Sequence, residues 1–159
     1  MSNITIITVG TLKENYLKEA VAEYTKRLSQ HARVDEVNIK AERIANEDDS
    51  AEIKRALEAE ADKILSAIPK GAGKIALCVE GKQYDSPALA SLIGRMADES
   101  GKIAIIIGSS HGLSDRVKRE CDVRLSFSQL TFPHQLMRVV LYEALYRSFT
   151  ILAGKKYHK

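Results

Sequence analysis

The chain has 159 residues and a formal net charge of +3, with 45% hydrophobic and 28% charged positions. A mixed composition of this kind is typical of one folded domain and excludes a chain that is mostly disordered. No apolar run approaches the roughly 20 residues that a membrane-spanning helix needs. The first ten residues lack the pattern of a signal peptide, and Cys78 and Cys121 form neither a CxxC pair nor a metal-binding spacing. We therefore expect a cytoplasmic protein without a metal.

The charges are distributed unevenly along the chain. Residues 1–100 hold 14 basic and 17 acidic side chains, whereas residues 101–159 hold 10 basic and 4 acidic ones. Two interpretations fit this asymmetry: a solvated basic tail that arises by chance, or a C-terminal half that faces an anion.

Two kinds of hydrophobic spacing alternate along the chain. Apolar runs predict five strands, at residues 4–9, 33–39, 74–79, 102–107 and 123–128. Apolar residues at helical spacing predict five helices, at residues 16–28, 51–68, 86–96, 114–121 and 133–152. This alternation predicts an α/β fold, with one domain over residues 1–159 and a mostly parallel sheet covered by helices on both faces.

Short polar signals mark the ends of these elements. Glu80–Lys82 predicts a turn after the third strand. Ser86 and Pro87 are predicted as the cap and first turn of the third helix, and Ser114 as the cap of the fourth.

Ligands of such sheets bind beyond the carboxyl ends of the strands. The loops that follow Val9, Val79, Ile107 and Ser128 are therefore the candidate sites. The first of them lacks the G-x-G-x-x-G fingerprint of dinucleotide-binding proteins, and the chain has no G-x-x-x-x-G-K-[ST] phosphate loop.

Two loops have unusual compositions. "IGSSHGLS" contains Gly108 and Gly112, which allow either close approach of a ligand to the backbone or an ordinary tight turn. The connection before the last helix contains Ser126, Ser128 and Thr131, whose hydroxyls either enclose a small polar ligand or cap local turns.

His134 and Arg138 lie one helical turn apart on the predicted last helix. A neighbouring guanidinium disfavours the protonated imidazole, so His134 is a candidate base and Arg138 a candidate cation for a developing anion. The alternative is a helix-start histidine that pairs with nearby backbone. At the terminus, Tyr157 and His158 stand among lysines, which suits either base stacking with phosphate contact or a frayed tail.

The segment "LSFSQLTFPHQLMRVVLYEALYRSF", with "YHK" at the terminus, resembles the ribosomal RNA large subunit methyltransferase H family. The resemblance covers the whole chain, including "VGTLKE", "EYTKRL" and "IGSSHGLS". The combination of T-F-P-H-x-x-x-R-V with a terminal Tyr-His is highly specific to this family.

The resemblance implies a SPOUT-class fold with a C-terminal trefoil knot, in which S-adenosyl-L-methionine binds. It implies a homodimer that methylates N3 of a pseudouridine in 23S large-subunit ribosomal RNA on the assembled ribosome, with each active site completed near the partner subunit. The cofactor contacts that it implies by position are Leu77, Gly108, Phe127, Ser128, Gln129, Leu130, Thr131 and Phe132. The catalytic candidates are His134 and Arg138, with Tyr157 and His158 positioning the substrate or accepting a proton.

This chain departs from the family pattern at one position. Ser109 follows Gly108, where family members usually have a second glycine. Serine would be strained if the position required a positive φ, and we expect that it does not.

Two other classes of protein compete with the methyltransferase. A non-catalytic ribosome-binding factor with an inherited fold would have lost the cofactor pocket. A nicotinamide-dependent oxidoreductase is disfavoured because the glycine fingerprint after the first strand is missing.

Overall fold

The computed structural model describes all residues from Met1 to Lys159. Its five strands and five helices alternate along the chain. The strands are β1 (Ser2–Val9), β2 (Ala32–Ile39), β3 (Gly73–Gln83), β4 (Lys102–Ile107) and β5 (Val123–Ser126). The helices are α1 (Asn15–Leu28), α2 (Ser50–Ala67), α3 (Ser86–Ser100), α4 (Asp115–Glu120) and α5 (His134–Leu152). The predicted order of elements is confirmed.

The strands form one parallel sheet in the order β2-β1-β4-β3-β5. Successive residues of a strand point to opposite faces, and the two faces are packed against different helices. Ile103 and Ile105 pack into a cluster with α1, α3 and α5, whereas Ile106 packs into a second cluster with α2 and α4. The prediction of a parallel α/β sheet covered on both faces is therefore confirmed.

The turn predicted at Glu80–Lys82 is wrong, because β3 continues to Gln83. Leu77 and Lys82 both pair with Leu125, so the residues between them bulge out of the ladder. Gly81 lies within this bulge, where a Cβ atom would come within 2.7 Å of the Arg124 carbonyl oxygen. Pairing with β5 on both sides of the bulge outweighs the local turn signal.

Two predicted ends also need correction. β5 ends at Ser126 instead of residue 128, so the connection to α5 begins earlier than predicted. The cap of α3 is Asp85, whose carboxylate accepts the Ala88 amide, and Ser86 is already helical. Ser114 caps α4 as predicted, because its hydroxyl accepts the Val117 amide at 3.2 Å.

None of the helices combines the length and the hydropathy that crossing a membrane requires. The trefoil knot and the boundary of the single domain stay predictions.

Candidate active site

A cavity of about 510 Å³ opens at the carboxyl ends of β3, β4 and β5. The bulged part of β3, the loops after β4 and β5 and the first turn of α5 contribute to its walls, which is where ligands of parallel sheets are expected. Its volume is in the range of small-molecule and cofactor sites. The residues that line it include Leu77, Gly108, Phe127, Ser128, Leu130, Thr131, Phe132 and His134. All the predicted cofactor contacts except Gln129 are thus brought together.

The loop after β4 begins with Gly108 and Ser109, and only the first of these positions requires glycine. A Cβ atom at Gly108 would lie 2.6 Å from the Gly112 carbonyl carbon, so the backbone turns there without room for a side chain. Ser109 has a negative φ, and its hydroxyl accepts the His111 amide at 3.3 Å. The expectation that this position tolerates a side chain is confirmed.

The loop after β5 is held together by its own serines. The Ser126 hydroxyl donates to the Ser128 carbonyl at 3.1 Å, and the Ser128 hydroxyl accepts the Leu130 amide at 3.0 Å. These bonds fit the interpretation of the hydroxyls as turn caps, while the same loop also lines the cavity. Leu130 and Phe132 are exposed on its rim.

The charged side chains on the opposite wall neutralise each other. Lys118 forms an ion pair with Glu80, which holds the pKa of that carboxyl below its usual value. Burial raises the pKa of the neighbouring Cys78 thiol, which therefore stays protonated at neutral pH. This wall suits a ligand with a polar surface and presents no reactive thiolate.

His134 is the first residue of α5 and lies at the edge of the cavity. Burial, followed by the charges of Arg138 and Lys13, lowers its pKa below the ordinary 6.5. The imidazole is therefore neutral at pH 7 and free to accept a proton. The loop after β1 passes close by, since a Cβ atom on Gly10 would lie 3.8 Å from the His134 Nε2 atom.

Arg138 does not line this cavity. Its side chain is 2% exposed, and its Nη1 atom lies 2.9 Å from the Glu36 Oε1 atom. Its Nη2 atom donates to the Gly10 carbonyl at 3.0 Å. These partners engage both terminal nitrogens, while the Nε atom is buried without a partner. The geometry therefore favours an indirect role over direct contact with a substrate anion.

Lys13 is a cation near His134 that no motif in the sequence singles out. It lies exposed in the loop after β1, and its amide donates to the Gln135 side chain at 3.3 Å. In the sequence, "VGTLKE" is only one of the segments that carry the family resemblance. Nothing in its local pattern indicates that this loop meets the start of α5 more than a hundred residues later.

The tail packs beside the middle of α5, away from the cavity. The Tyr157 hydroxyl donates to the Glu143 carboxylate at 3.0 Å, and its ring lies 4.8 Å from that of Tyr146. The Nδ1 atom of His158 lies 3.3 Å from Arg147. Glu143 follows His134 by nine residues, or roughly 13 Å along the helix axis. Within one chain, Tyr157 and His158 therefore do not join His134 at the cavity.

Comparison with known proteins agrees with this geometry. Residues 2–158 match the model of the family described as "Predicted SPOUT methyltransferase". The fold is similar to a "probable methylase family protein" from Haemophilus influenzae, with a TM-score of 0.60 and 16% identity over 98% of this chain and 70% of that one. It is also similar to a "probable methyltransferase" from Bordetella pertussis, with a TM-score of 0.55 and 17% identity over 93% of this chain and 96% of that one. The class of protein that the fold and the family match define is that of the SPOUT methyltransferases.

Curated relatives narrow the class. The chain is 46% identical to ribosomal RNA large subunit methyltransferase H of Bacillus pumilus over 158 residues, which is 99% of each chain. It is 47% identical to the protein of the same name from Caldicellulosiruptor bescii over 156 residues, or 98% of this chain and 99% of that one. The chain belongs to the ribosomal RNA large subunit methyltransferase H family.

Proposed function

We propose that this protein is an S-adenosyl-L-methionine-dependent methyltransferase that modifies N3 of a pseudouridine in 23S ribosomal RNA. The observation that carries this proposal is the cavity beyond β3, β4 and β5, where a neutral His134 stands beside the predicted cofactor loops. Relatives with almost half of their residues identical are named as methyltransferases of large-subunit ribosomal RNA.

The residues of the cavity fit the proposed cofactor. Gly108 lines the cavity without a side chain, and Leu77 and Phe127 add apolar surface. Backbone groups and hydroxyls of the loop after β5 supply hydrogen bonds for an amino acid or ribose moiety. When bound, S-adenosyl-L-methionine supplies a methyl group that its sulfonium activates.

His134 is the candidate base. The N3 nitrogen of the target pseudouridine is nucleophilic mainly after it loses its proton. The neutral imidazole of His134, at the edge of the cavity, can accept that proton. Deprotonation leaves negative charge on the two flanking carbonyl oxygens of the base. The exposed ammonium of Lys13 is the nearby cation that is free to stabilise this charge, because Arg138 is already paired.

The proposed active form is a homodimer, in which Tyr157 and His158 reach the active site of the partner subunit. Support comes from the distance between tail and cavity within one chain. It also comes from three apolar side chains exposed beside the cavity, at Leu130, Phe132 and Leu136. These residues belong to one short segment at the start of α5, and an exposed apolar segment of this kind suits an interface.

The proposed substrate is the folded RNA of an assembled ribosome in the cytoplasm. A net charge of +3 is too small for tight capture of RNA by electrostatics alone. Recognition of a single folded target by shape, with a few phosphate contacts from the basic C-terminal half, fits this charge.

The test incubates the protein with cofactor carrying a labelled methyl group and with naked 23S RNA, large subunits or complete ribosomes. We expect label on the pseudouridine of complete ribosomes and little or none on naked RNA. His134→Gln should abolish most of this transfer while it retains cofactor binding in calorimetry. Label in none of the three substrates would contradict the proposal. Absence of cofactor binding would favour a non-catalytic ribosome-binding factor.

A further inference from the structure

A polar network joins β2 to α5 beneath the loop that carries Gly10. The Glu36 carboxylate accepts from Arg138 at 2.9 Å through one oxygen and from the Tyr142 hydroxyl at 2.6 Å through the other. Arg138 also donates to the Gly10 carbonyl at 3.0 Å. Arg138 and Tyr142 are almost fully buried, so the network has a fixed geometry.

The network ends one helical turn from His134. Gly10 links the two, since its carbonyl accepts from Arg138 and a Cβ atom built on it would lie 3.8 Å from the His134 Nε2 atom. The Gly10 amide donates to the Ile39 carbonyl at 2.8 Å. Hydrogen bonds thus tie the ends of β1 and β2 to α5 at Arg138, one helical turn from the imidazole.

The network also changes the electrostatic environment of the His134 imidazole. The cations that face His134 are Arg138 on its own helix and Lys13 in the loop after β1. Glu80 and Lys118 line the same cavity but neutralise each other, and His111 lines it from the loop after β4. Glu36 is the carboxylate that compensates Arg138.

We propose that Glu36 is a positioning residue for His134 that acts through Arg138. It fixes the guanidinium one turn from the imidazole and offsets its positive charge, so that His134 remains basic enough to accept a proton. Without this carboxylate, the full charge of Arg138 would act on the imidazole in partly buried surroundings, where the effective dielectric constant is lower than in water. The meaning for catalysis rests on the proposed role of His134 as the base.

The experiment follows the four histidines by NMR titration of the free protein, with His134 assigned from the His134→Gln spectrum. Glu36→Gln keeps the size of the side chain and removes its charge, and should lower the pKa of His134 by about half a unit or more. Arg138→Met should raise it. The double variant, which removes both charges, should return close to the wild-type value.

Asp35→Asn is the matched control. Asp35 neighbours Glu36 on β2 but points to the other face, where it pairs with the exposed Arg33 at 3.3 Å. Removal of its charge should leave the His134 titration within about 0.2 of the wild type, because exposed charges are well screened.

The signs of the shifts separate the proposal from a structural role. A network that only supports the fold would leave the pKa of His134 unchanged in Glu36→Gln, or would move it in the same direction in both single variants; either result overturns the proposal. Circular dichroism checks folding, and Glu36→Gln decides alone if Arg138→Met does not fold. The titration needs no substrate, so it is independent of whether the protein methylates RNA.

Discussion

The adjacent residues Gly108 and Ser109 differ in whether the loop has room for a Cβ atom. The two residues are adjacent, yet only Gly108 faces a backbone segment that excludes a Cβ atom. Ser109 has an ordinary φ and uses its hydroxyl inside the turn. The family's usual second glycine is therefore not a requirement of this backbone.

Gly108→Ala should weaken cofactor binding by about tenfold or more, because the new methyl group displaces the backbone of Gly112 and deforms the cavity wall. Isothermal titration calorimetry with S-adenosyl-L-methionine measures this. Ser109→Ala, which removes only one hydrogen bond, should stay within about threefold of the wild type. Equal losses in the two variants would contradict the assigned difference.

Glu60 should make stability depend on pH. The side chain is 3% exposed and accepts the Glu42 amide at 2.9 Å, and burial raises the pKa of its carboxyl above the ordinary 4.5. The folded state therefore binds the Glu60 proton more tightly than the unfolded chain does. The resulting stabilisation of the folded state is fully present below pH 4.5 and is lost as the pH rises through the folded pKa.

Glu60→Gln keeps an oxygen for the Glu42 amide and removes the ionisation. Its free energy of unfolding should fall less than that of the wild type between about pH 4 and 7. Urea denaturation at several pH values measures the difference. Glu58→Gln, a change of a half-exposed carboxylate that pairs with Arg116 on the surface of the same helix, should retain the wild-type slope.

The sequence predicted the position of His134 in the fold better than it predicted the surroundings of Arg138. His134 lies at the edge of the cavity, and its pKa is lowered first by burial and then by Arg138, of which the sequence indicated only the second cause. The pairing of Arg138 with Glu36 could not be predicted, because these residues are 102 positions apart and meet only through the sheet.

At the scale of elements, hydrophobic spacing predicted every strand and helix, since each face of the sheet and each helix buries its own apolar stripe. The bulge in β3 escaped prediction. "EGK" is an ordinary turn signal when read locally, and the pairing of Lys82 with Leu125 depends on a strand forty residues further on.

The tail is an element with its own predicted role. A chain that ends at Lys155 should bind S-adenosyl-L-methionine within about twofold of the full chain, because the tail does not line the cavity. Its methylation of ribosomes should fall by about a hundredfold, because substrate positioning is lost. Lys155→Ala with Lys156→Ala, which keeps Tyr157 and His158, should lose far less. Full activity of the truncated chain would show that the tail has no part in the reaction.

At the scale of the molecule, the proposed dimer depends on the apolar rim of the cavity. Leu136→Glu should shift the protein to a monomer at micromolar concentration, since burying an unpaired carboxylate in an interface is unfavourable. Light scattering after gel filtration measures the mass. Tyr16→Glu, at a more exposed apolar position on α1, should remain dimeric. A dimeric Leu136→Glu variant would place the interface elsewhere.

The 19-residue α5 has a consequence for the genetics of this protein. One end carries His134 and the other leads into the tail, so in the proposed dimer each helix serves two different active sites. Two defective alleles, one lacking His134 and one lacking the tail, should then complement each other. Random pairing makes half of the dimers mixed, and each mixed dimer has one intact site, so co-expression should restore about a quarter of the wild-type activity.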